Sequence, residues 1–356
     1  MQRRQFLTTA CITSLAAASV QFGKAAELSD DEGKIVIPKQ DIPYQPVRSN
    51  LYTFSELFTG FDTNDPTSWG RTLDFSIYRH FVKEGRGAPN NPYMGMLQAL
   101  HDSTITQSVT TLVAGRKVAA IMGGHKMARN SSSYKDVAVI ARHLTRAGIL
   151  VCTGGGPGAM EAGHLGALLA KESDGKLDEV LGLLKNKSDL PALATIVASD
   201  GNVDNSLLSQ AHAWFKPAYE IAKSIKSPGE SLAIPTWHYG HEPSAPFATH
   251  IAKYFQNSIR EEGLLAVAKQ GIIYVEGKAG TIQEIFQDAA QNYYRTYEYF
   301  SPMVFLGTKY WTDTERGSYP VVAVLKNLFE PSDFENYVLV TDDVTEVAEF
   351  IKRFAP

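Results

Sequence analysis

Cysteine is scarce in this chain: Cys11 and Cys152 are the only two. Two thiols cannot build a disulfide framework or a cysteine zinc site. No segment holds the ~18 consecutive apolar residues that a membrane span requires. A basic excess is also missing, since 34 Lys and Arg stand against 38 Asp and Glu, for a net charge of −4. That balance argues against a general nucleic-acid binder. There is no internal repeat and no low-complexity tract. Several signatures of chemistry are absent as well: the Gly-x-Ser-x-Gly elbow, the GK[ST] P-loop, the G-x-G-x-x-G fingerprint and the HExxH metal helix. No pyridoxal-phosphate lysine site is displayed, and no metal or cofactor is expected. What remains is 356 residues of ordinary globular composition, 44% hydrophobic and 20% charged. Such a chain can bury a large core without covalent staples.

The first residues look like an address. Arg3-Arg4-Gln5-Phe6-Leu7 precedes a mild apolar run from Ala10 to Val20, and Gly23-Lys24-Ala25 offers a small-residue cleavage site. Residues 1–26 therefore read as an export signal of the twin-arginine type. The expectation is a periplasmic or secreted protein with no membrane segment in the mature form. A frayed basic helix on a cytoplasmic protein is the alternative. Cys11 precedes most of the apolar run, which argues against a lipoprotein anchor.

Residues 27–115 show no clear alternation of strand and helix. Ile37 to Pro46 is extended and proline-marked, and Gly85 to Pro92 reads as a loop. This region is expected to be an N-terminal extension packed on a main domain, residues 116–356. From Arg116 the pattern changes. Strands are predicted at Val118–Met122, Ile149–Cys152, Leu232–Ile234, Gly271–Val275, Met303–Leu306 and Tyr337–Val340, with a further candidate at Thr195–Ala198. Helices are predicted between them, including Phe247–Glu262, Thr281–Tyr294 and Tyr319–Phe329. Continuous apolar strands alternating with helices imply an α/β fold, a doubly wound, Rossmann-like parallel sheet covered on both faces. Ligands of such sheets bind at the C-terminal ends of the strands.

Two glycine-rich turns stand at such ends. Thr153-Gly154-Gly155-Gly156-Pro157-Gly158-Ala159-Met160-Glu161 follows a strand and opens a helix. Glycines let backbone approach an anion, and free N–H groups at a helix start point at it. Gly154, Gly155, Gly156, Gly158 and Met160 are candidate phosphate-binding residues; a tight turn without a ligand is the plain alternative. Glu276-Gly277-Lys278-Ala279-Gly280-Thr281-Ile282-Gln283-Glu284 is the second turn, with Gly277, Lys278, Gly280 and Thr281 as candidates. Thr281-x-x-Glu284 also fits a capping box, in which the carboxylate serves only backbone N–H groups.

Together the two turns resemble the Lonely Guy (LOG) family, over about Arg116 to Phe354. An older label of that family names lysine decarboxylase. The resemblance implies a Rossmann-like fold, a homodimer and a phosphoribohydrolase that cleaves nucleoside 5′-monophosphates into free base and ribose 5-phosphate. It also implies that Glu284 is catalytic, with Arg260 on the preceding helix as its partner. The match is altered in three places. Glu276 stands where the family has Pro, and Lys278 where it has the second Gly. Arg260 falls one residue out of register, with Glu261 in the expected slot. A carboxylate ~4 Å from a phosphate costs about 1 kcal/mol in water and about 4 at an effective dielectric of ~20. Lys278 could offset that cost as a point charge. The altered turn keeps a second reading open, a nucleotide-binding sensor or carrier that turns nothing over.

Weaker candidates border the same edge. Gly124 ends the first strand. Trp237, His238 and His241 follow the Leu232–Ile234 strand and are expected to wall a base-binding pocket. His238 and His241 with Glu242 could suggest a metal, but Gly240 and Pro243 mark a loop and not a metal-binding helix, so none is expected.

Overall fold

Val118–Met122 (β1) is buried at all five positions and lies in the middle of the sheet. The computed structural model describes residues 41–89 and 91–354. The expected export signal and Cys11 lie outside them. The other strands are β2 (Leu150–Thr153), β3 (Ser231–Ala233), β4 (His250–Ile251), β5 (Gly271–Tyr274), β6 (Met303–Leu306) and β7 (Val338–Thr341). All seven are parallel, in the order β4-β3-β2-β1-β5-β6-β7. The chain steps outward from β1 to β4, then returns to lay β5 against β1's free edge. The α/β, doubly wound sheet is thus as expected, and its order reverses between β1 and β5. That reversal opens a crevice at the C-terminal strand ends.

Thirteen α-helices accompany the sheet among the described residues. Three precede it: α1 (Phe54–Leu57), α2 (Leu73–Lys83) and α3 (Pro92–Val113). Next come α4 (Ser132–Arg146) and α5 (Ala159–Leu168), then α6 (Asp174–Leu184) and α7 (Asn205–Ser224) on the way to β3. The helices α8 (Asn257–Val267) and α9 (Ala279–Tyr293) flank β5. Last are α10 (Thr308–Thr312), α11 (Val321–Leu328), α12 (Pro331–Tyr337) and α13 (Val344–Arg353). Local chemistry sets several starts. The side chains of Ser131, Asp204 and Asp343 accept N–H groups of the first turns of α4, α7 and α13. At α3, Asn91 caps and Pro92 supplies a helix-ready φ.

Alternate residues of each strand feed two cores, as period-two geometry requires. Ala119, Ile121, Val151, Ile273 and Val304 face α4, α5, α6 and α13. Ala120, Met122, Cys152, Ile272, Tyr274 and Phe305 face the other way, into a core shared with Phe75, Tyr78, Phe81, Ile105 and Val109 of α2 and α3. No helix of the described residues is long and apolar enough to cross a membrane.

Two predicted elements are corrected. Phe247–Glu262 is not one helix: it holds the short strand β4, a loop and only then α8. Thr195–Ala198 is not a sheet strand, and makes a single antiparallel bridge, Val197 to Val203.

Candidate functional site

Three turns meet at the C-terminal ends of the adjacent strands β2, β1 and β5. The Gly124 N–H donates to the Glu276 carbonyl at 2.9 Å, and the Ala159 N–H donates to the Gly124 carbonyl at 3.2 Å. The loop after β1 is therefore clamped between the two glycine turns. Close approach explains the residue types. Gly158 has φ +70°, and a Cβ there would stand 2.4 Å from the Gly124 carbonyl oxygen. A Cβ on Gly277 would lie 2.1 Å from Thr281 Oγ1. Both turns line one cavity of about 950 Å³.

Each turn leads into a helix whose N-terminus has no side-chain cap. For α5 the cap residue is Gly158; for α9 it is Lys278. The capping box at Thr281 is therefore not formed. The helix begins at Ala279, Thr281 is already its third residue, and the Glu284 carboxylate accepts no backbone N–H. Uncapped N–H groups and helix dipoles favour an anion, by ~0.3–1 kcal/mol per helix end and up to ~2 when partly buried. Not every amide of the first turn is free. The Gly155 N–H donates to Thr153 Oγ1 at 3.0 Å, which removes it from the expected anion donors. The Gly156 N–H has only the Met160 thioether, at 3.4 Å, a weak acceptor that a phosphate oxygen would displace.

Glu284 instead faces Arg260. Its Oε1 lies 3.8 Å from Arg260 Nη1. A Cβ on Gly154 would be 3.4 Å from the same Nη1, so one guanidinium links the first turn to the acid behind the second. The one-residue register offset does not displace Arg260, which is 8% exposed. Its Nη2 donates to Asn257 Oδ1 at 2.9 Å, while the buried Nε has no partner. Glu261, in the slot the resemblance would give to arginine, accepts from Asn257 Nδ2 at 2.7 Å and Gln283 Nε2 at 3.0 Å. Burial pushes the Glu284 acid up to about 7; the Arg260 charge opposes that rise and Glu261 adds to it. The side chains of Glu276 and Lys278 are exposed at the cavity rim.

The segment after β3 lands differently from expectation. Gly124 and His241 line the cavity, but Trp237 and His238 do not. Trp237 is fully buried, its ring 4.5 Å from that of Phe255 and its Nε1 donating to Asp74 Oδ1 at 3.0 Å. An indole among so many apolar rings serves the core. His238 is exposed outside the cavity. Gly158 sits behind the cavity wall, as the pivot against Gly124. Among the described residues no group of three or more His, Cys, Asp or Glu is arranged to hold a metal ion.

Several wall residues escape a reading based on motifs. Lys253, 1% exposed, donates to Asp74 Oδ1 at 2.6 Å and to Ser244 Oγ at 2.7 Å; the Ser244 hydroxyl donates to Asp74 Oδ2 at 3.0 Å. Asp74 belongs to α2, so the region before the sheet braces this wall. Burial pulls the Lys253 ammonium below its usual range, against the pull of Asp74. Across the cavity the Tyr310 hydroxyl donates to the Gly277 carbonyl. These residues carry no local motif; only long-range contacts, such as Asp74 with Lys253, place them here.

No protein-family model matches this chain, and no curated protein matches it. Among solved structures it is similar to the X-ray structure of TM1055, a structural-genomics target. The identity is 16%, over 67% of this chain and 99% of that one, with a TM-score of 0.38. The strand order described above, and not this likeness, establishes the fold.

Proposed function

We propose that this protein is a phosphoribohydrolase that cleaves the N-glycosidic bond of nucleoside 5′-monophosphates, as its resemblance to the LOG family implies. One observation carries the reading: the mostly buried Arg260–Glu284 pair stands in the same cavity as two uncapped helix N-termini. In this reading the phosphate lies at the N-termini of α5 and α9, with Gly156 of the turn before α5 and Gly280 and Thr281 of α9 contributing N–H donors. Anchoring the phosphate fixes the sugar at the remaining polar groups. As the bond to the base breaks, positive charge develops on the ribose ring. Ionised Glu284 stabilises that charge and takes a proton from the attacking water. Arg260 holds the acid in place and keeps part of its population ionised near neutrality.

The competing reading, a nucleotide-binding sensor or carrier, draws support from the rim, where Glu276 and Lys278 replace the family's residues. One assay separates them. Ribose 5-phosphate release is measured from adenosine, guanosine, inosine, cytidine and uridine monophosphates, with the wild type and Glu284→Gln. Release by the wild type and a loss of about 10²–10⁴-fold in the variant is the expected result. Saturable binding without release by the wild type would favour the carrier.

A further inference from the structure

Glu242 is a further acid of the cavity, and among the described residues no hydrogen-bond donor serves its carboxylate. It follows the 3₁₀ turn Trp237–Tyr239, with its N–H donating to the Tyr239 carbonyl at 2.9 Å. The loop that carries it is pinned on both sides. Trp237 and Ser244 both donate to Asp74 of α2, Gly240 lies against the Tyr78 ring, and the Ala245 N–H donates to the Gly155 carbonyl at 2.9 Å. Yet the Glu242 side chain, only 14% exposed, receives no hydrogen bond from any described residue. The imidazole Nε2 of His241 lies 4.0 Å away, beyond hydrogen-bond reach. A rigidly held, mostly buried acid without a protein partner is costly, and the cost is explained when a ligand supplies the partner.

Its position identifies that partner. A Cβ on Gly156 would lie 3.5 Å from Glu242 Oε2, and one on Gly154 3.4 Å from Arg260 Nη1. The Met160 thioether touches both of those points. Glu242 and the Arg260–Glu284 pair therefore flank a single turn, with Met160 between them.

We propose that Glu242 is the acid that protonates the departing base, opposite Glu284 as the base that activates water; this rests on the phosphoribohydrolase reading. The step balances. The bond between C1′ and the base nitrogen breaks with its electron pair going to the base, and the Glu242 proton passes to a ring nitrogen of that base. Water adds its oxygen to C1′ and gives a proton to Glu284. Exchange of one proton with solvent at each acid restores both.

The protonation states fit. Burial alone pushes the Glu242 acid up to about 7, so a protonated fraction persists near neutrality. Other charged or titratable groups around the cavity are His241 and Tyr239 beside it, His125 and Lys126 after β1, Lys253, Arg260 and Glu261 of α8, Glu276 and Lys278 with Glu284, and Tyr310 and Tyr319. His241 is no substitute acid. Burial, then the charges of Arg86, His125 and His238, lower it to about 4, which leaves it neutral.

The test compares full-length wild type, Glu242→Gln and Glu242→Asp on two substrates. One is the best nucleoside monophosphate of the panel. The other is para-nitrophenyl riboside 5-phosphate, whose leaving group departs without a proton. On the nucleotide, Glu242→Gln is expected to lower kcat by about 10²–10⁴-fold and abolish the alkaline limb of its pH profile. Glu242→Asp retains that limb, and all three forms turn over the nitrophenyl substrate alike. Equal slowing of both substrates by Glu242→Gln, or an unchanged nucleotide rate, overturns the assignment while the hydrolase reading stands. Absence of release from every nucleotide by the wild type removes both. Thermal unfolding of each variant verifies the fold.

Discussion

Asp102, on α3, accepts the backbone N–H of Gln256 at 2.8 Å, at the residue just before α8 begins. Its other oxygen accepts the Phe255 N–H at 2.9 Å and lies 3.1 Å from His101 Nδ1. The helix has no side-chain cap of its own; a carboxylate from the region before the sheet instead anchors the two residues that lead into it. Because α8 carries Arg260, a residue far from the cavity fixes the orientation of one that lines it. Asp102→Ala would leave two N–H groups unpaired, one of them on a buried residue. The expected cost is about 2–4 kcal/mol of stability, read by urea unfolding. Under the proposed function, ribose 5-phosphate release should drop as well. An unfolding free energy equal to wild type would show those bonds to be dispensable.

Asp288 gives a prediction about pH. It lies one turn beyond Glu284 on α9, is 3% exposed, and accepts the Tyr274 hydroxyl at 2.8 Å. Burial pushes its acid up from 3.8 to about 7, against the hydroxyl's pull. A folded-state value above the unfolded one means that the neutral acid stabilises the fold at low pH. That contribution is full below about 3.8 and is lost progressively as pH rises to about 7. Asp288→Asn removes the titration and keeps an acceptor for Tyr274. The variant should therefore gain on wild type as pH rises from 5 to 8, by up to roughly 3 kcal/mol. Parallel stability curves for the two proteins over that range would contradict the assignment.

Neighbouring residues of one motif divide their labour. Met160 faces the cavity, whereas Glu161 faces inward and is 1% exposed. Its Oε1 accepts Arg129 Nε and the Tyr134 hydroxyl, each at 2.7 Å, and its Oε2 accepts Arg129 Nη2 at 2.7 Å. The Arg129 guanidinium lies 3.6 Å over the Trp214 ring and donates to the Trp214 carbonyl. Glu161→Ala would strand a buried guanidinium, at an expected cost of about 3–5 kcal/mol by denaturant unfolding. Wild-type stability in this variant would show that Arg129 finds another anion.

The sequence disclosed those parts of the fold in which local pattern and tertiary structure agree. β1, β5 and β6 are short apolar runs that end at glycine, proline or polar residues, and their buried faces follow from that alone. β4 is two residues long and exists only by pairing with β3. Its Ile251 and the flanking Phe247 and Phe255 are all buried at four-residue spacing, which imitates a helix. The opposite error hides α3. Thr104, Thr106, Ser108, Thr110 and Thr111 weaken its helical signature, yet each hydroxyl folds back onto a carbonyl of the preceding turn. At the site, the glycines and Glu284 were visible because they belong to local motifs. The pairing of Arg260 with Glu284 was expected only through the family resemblance, because it depends on how α8 docks beside β5 and not on a local pattern. Glu242 and Lys253 depend further on Asp74 of α2, which no local window contains.

The glycines themselves separate fold from site. At Gly158 a side chain meets two obstacles. The backbone lies at φ +70°, and the added carbon would stand 2.4 Å from the Gly124 carbonyl oxygen and 2.8 Å from the His125 backbone. Backbone cannot withdraw as a flexible side chain can, so Gly158→Ala should cost well over 1 kcal/mol, the left-handed penalty for alanine alone being about 1–2. Gly280 is the contrast. It sits in the first turn of α9, and an added carbon would find nothing within 4 Å. Replacing a helical glycine with alanine there should raise stability by up to about 1 kcal/mol. Unfolding midpoints of the two variants should move in opposite directions. If Gly158→Ala proves as stable as wild type, the clamp between the loop after β1 and the first glycine turn is not rigid. The convergence of both turns on one anion would then lose its structural basis.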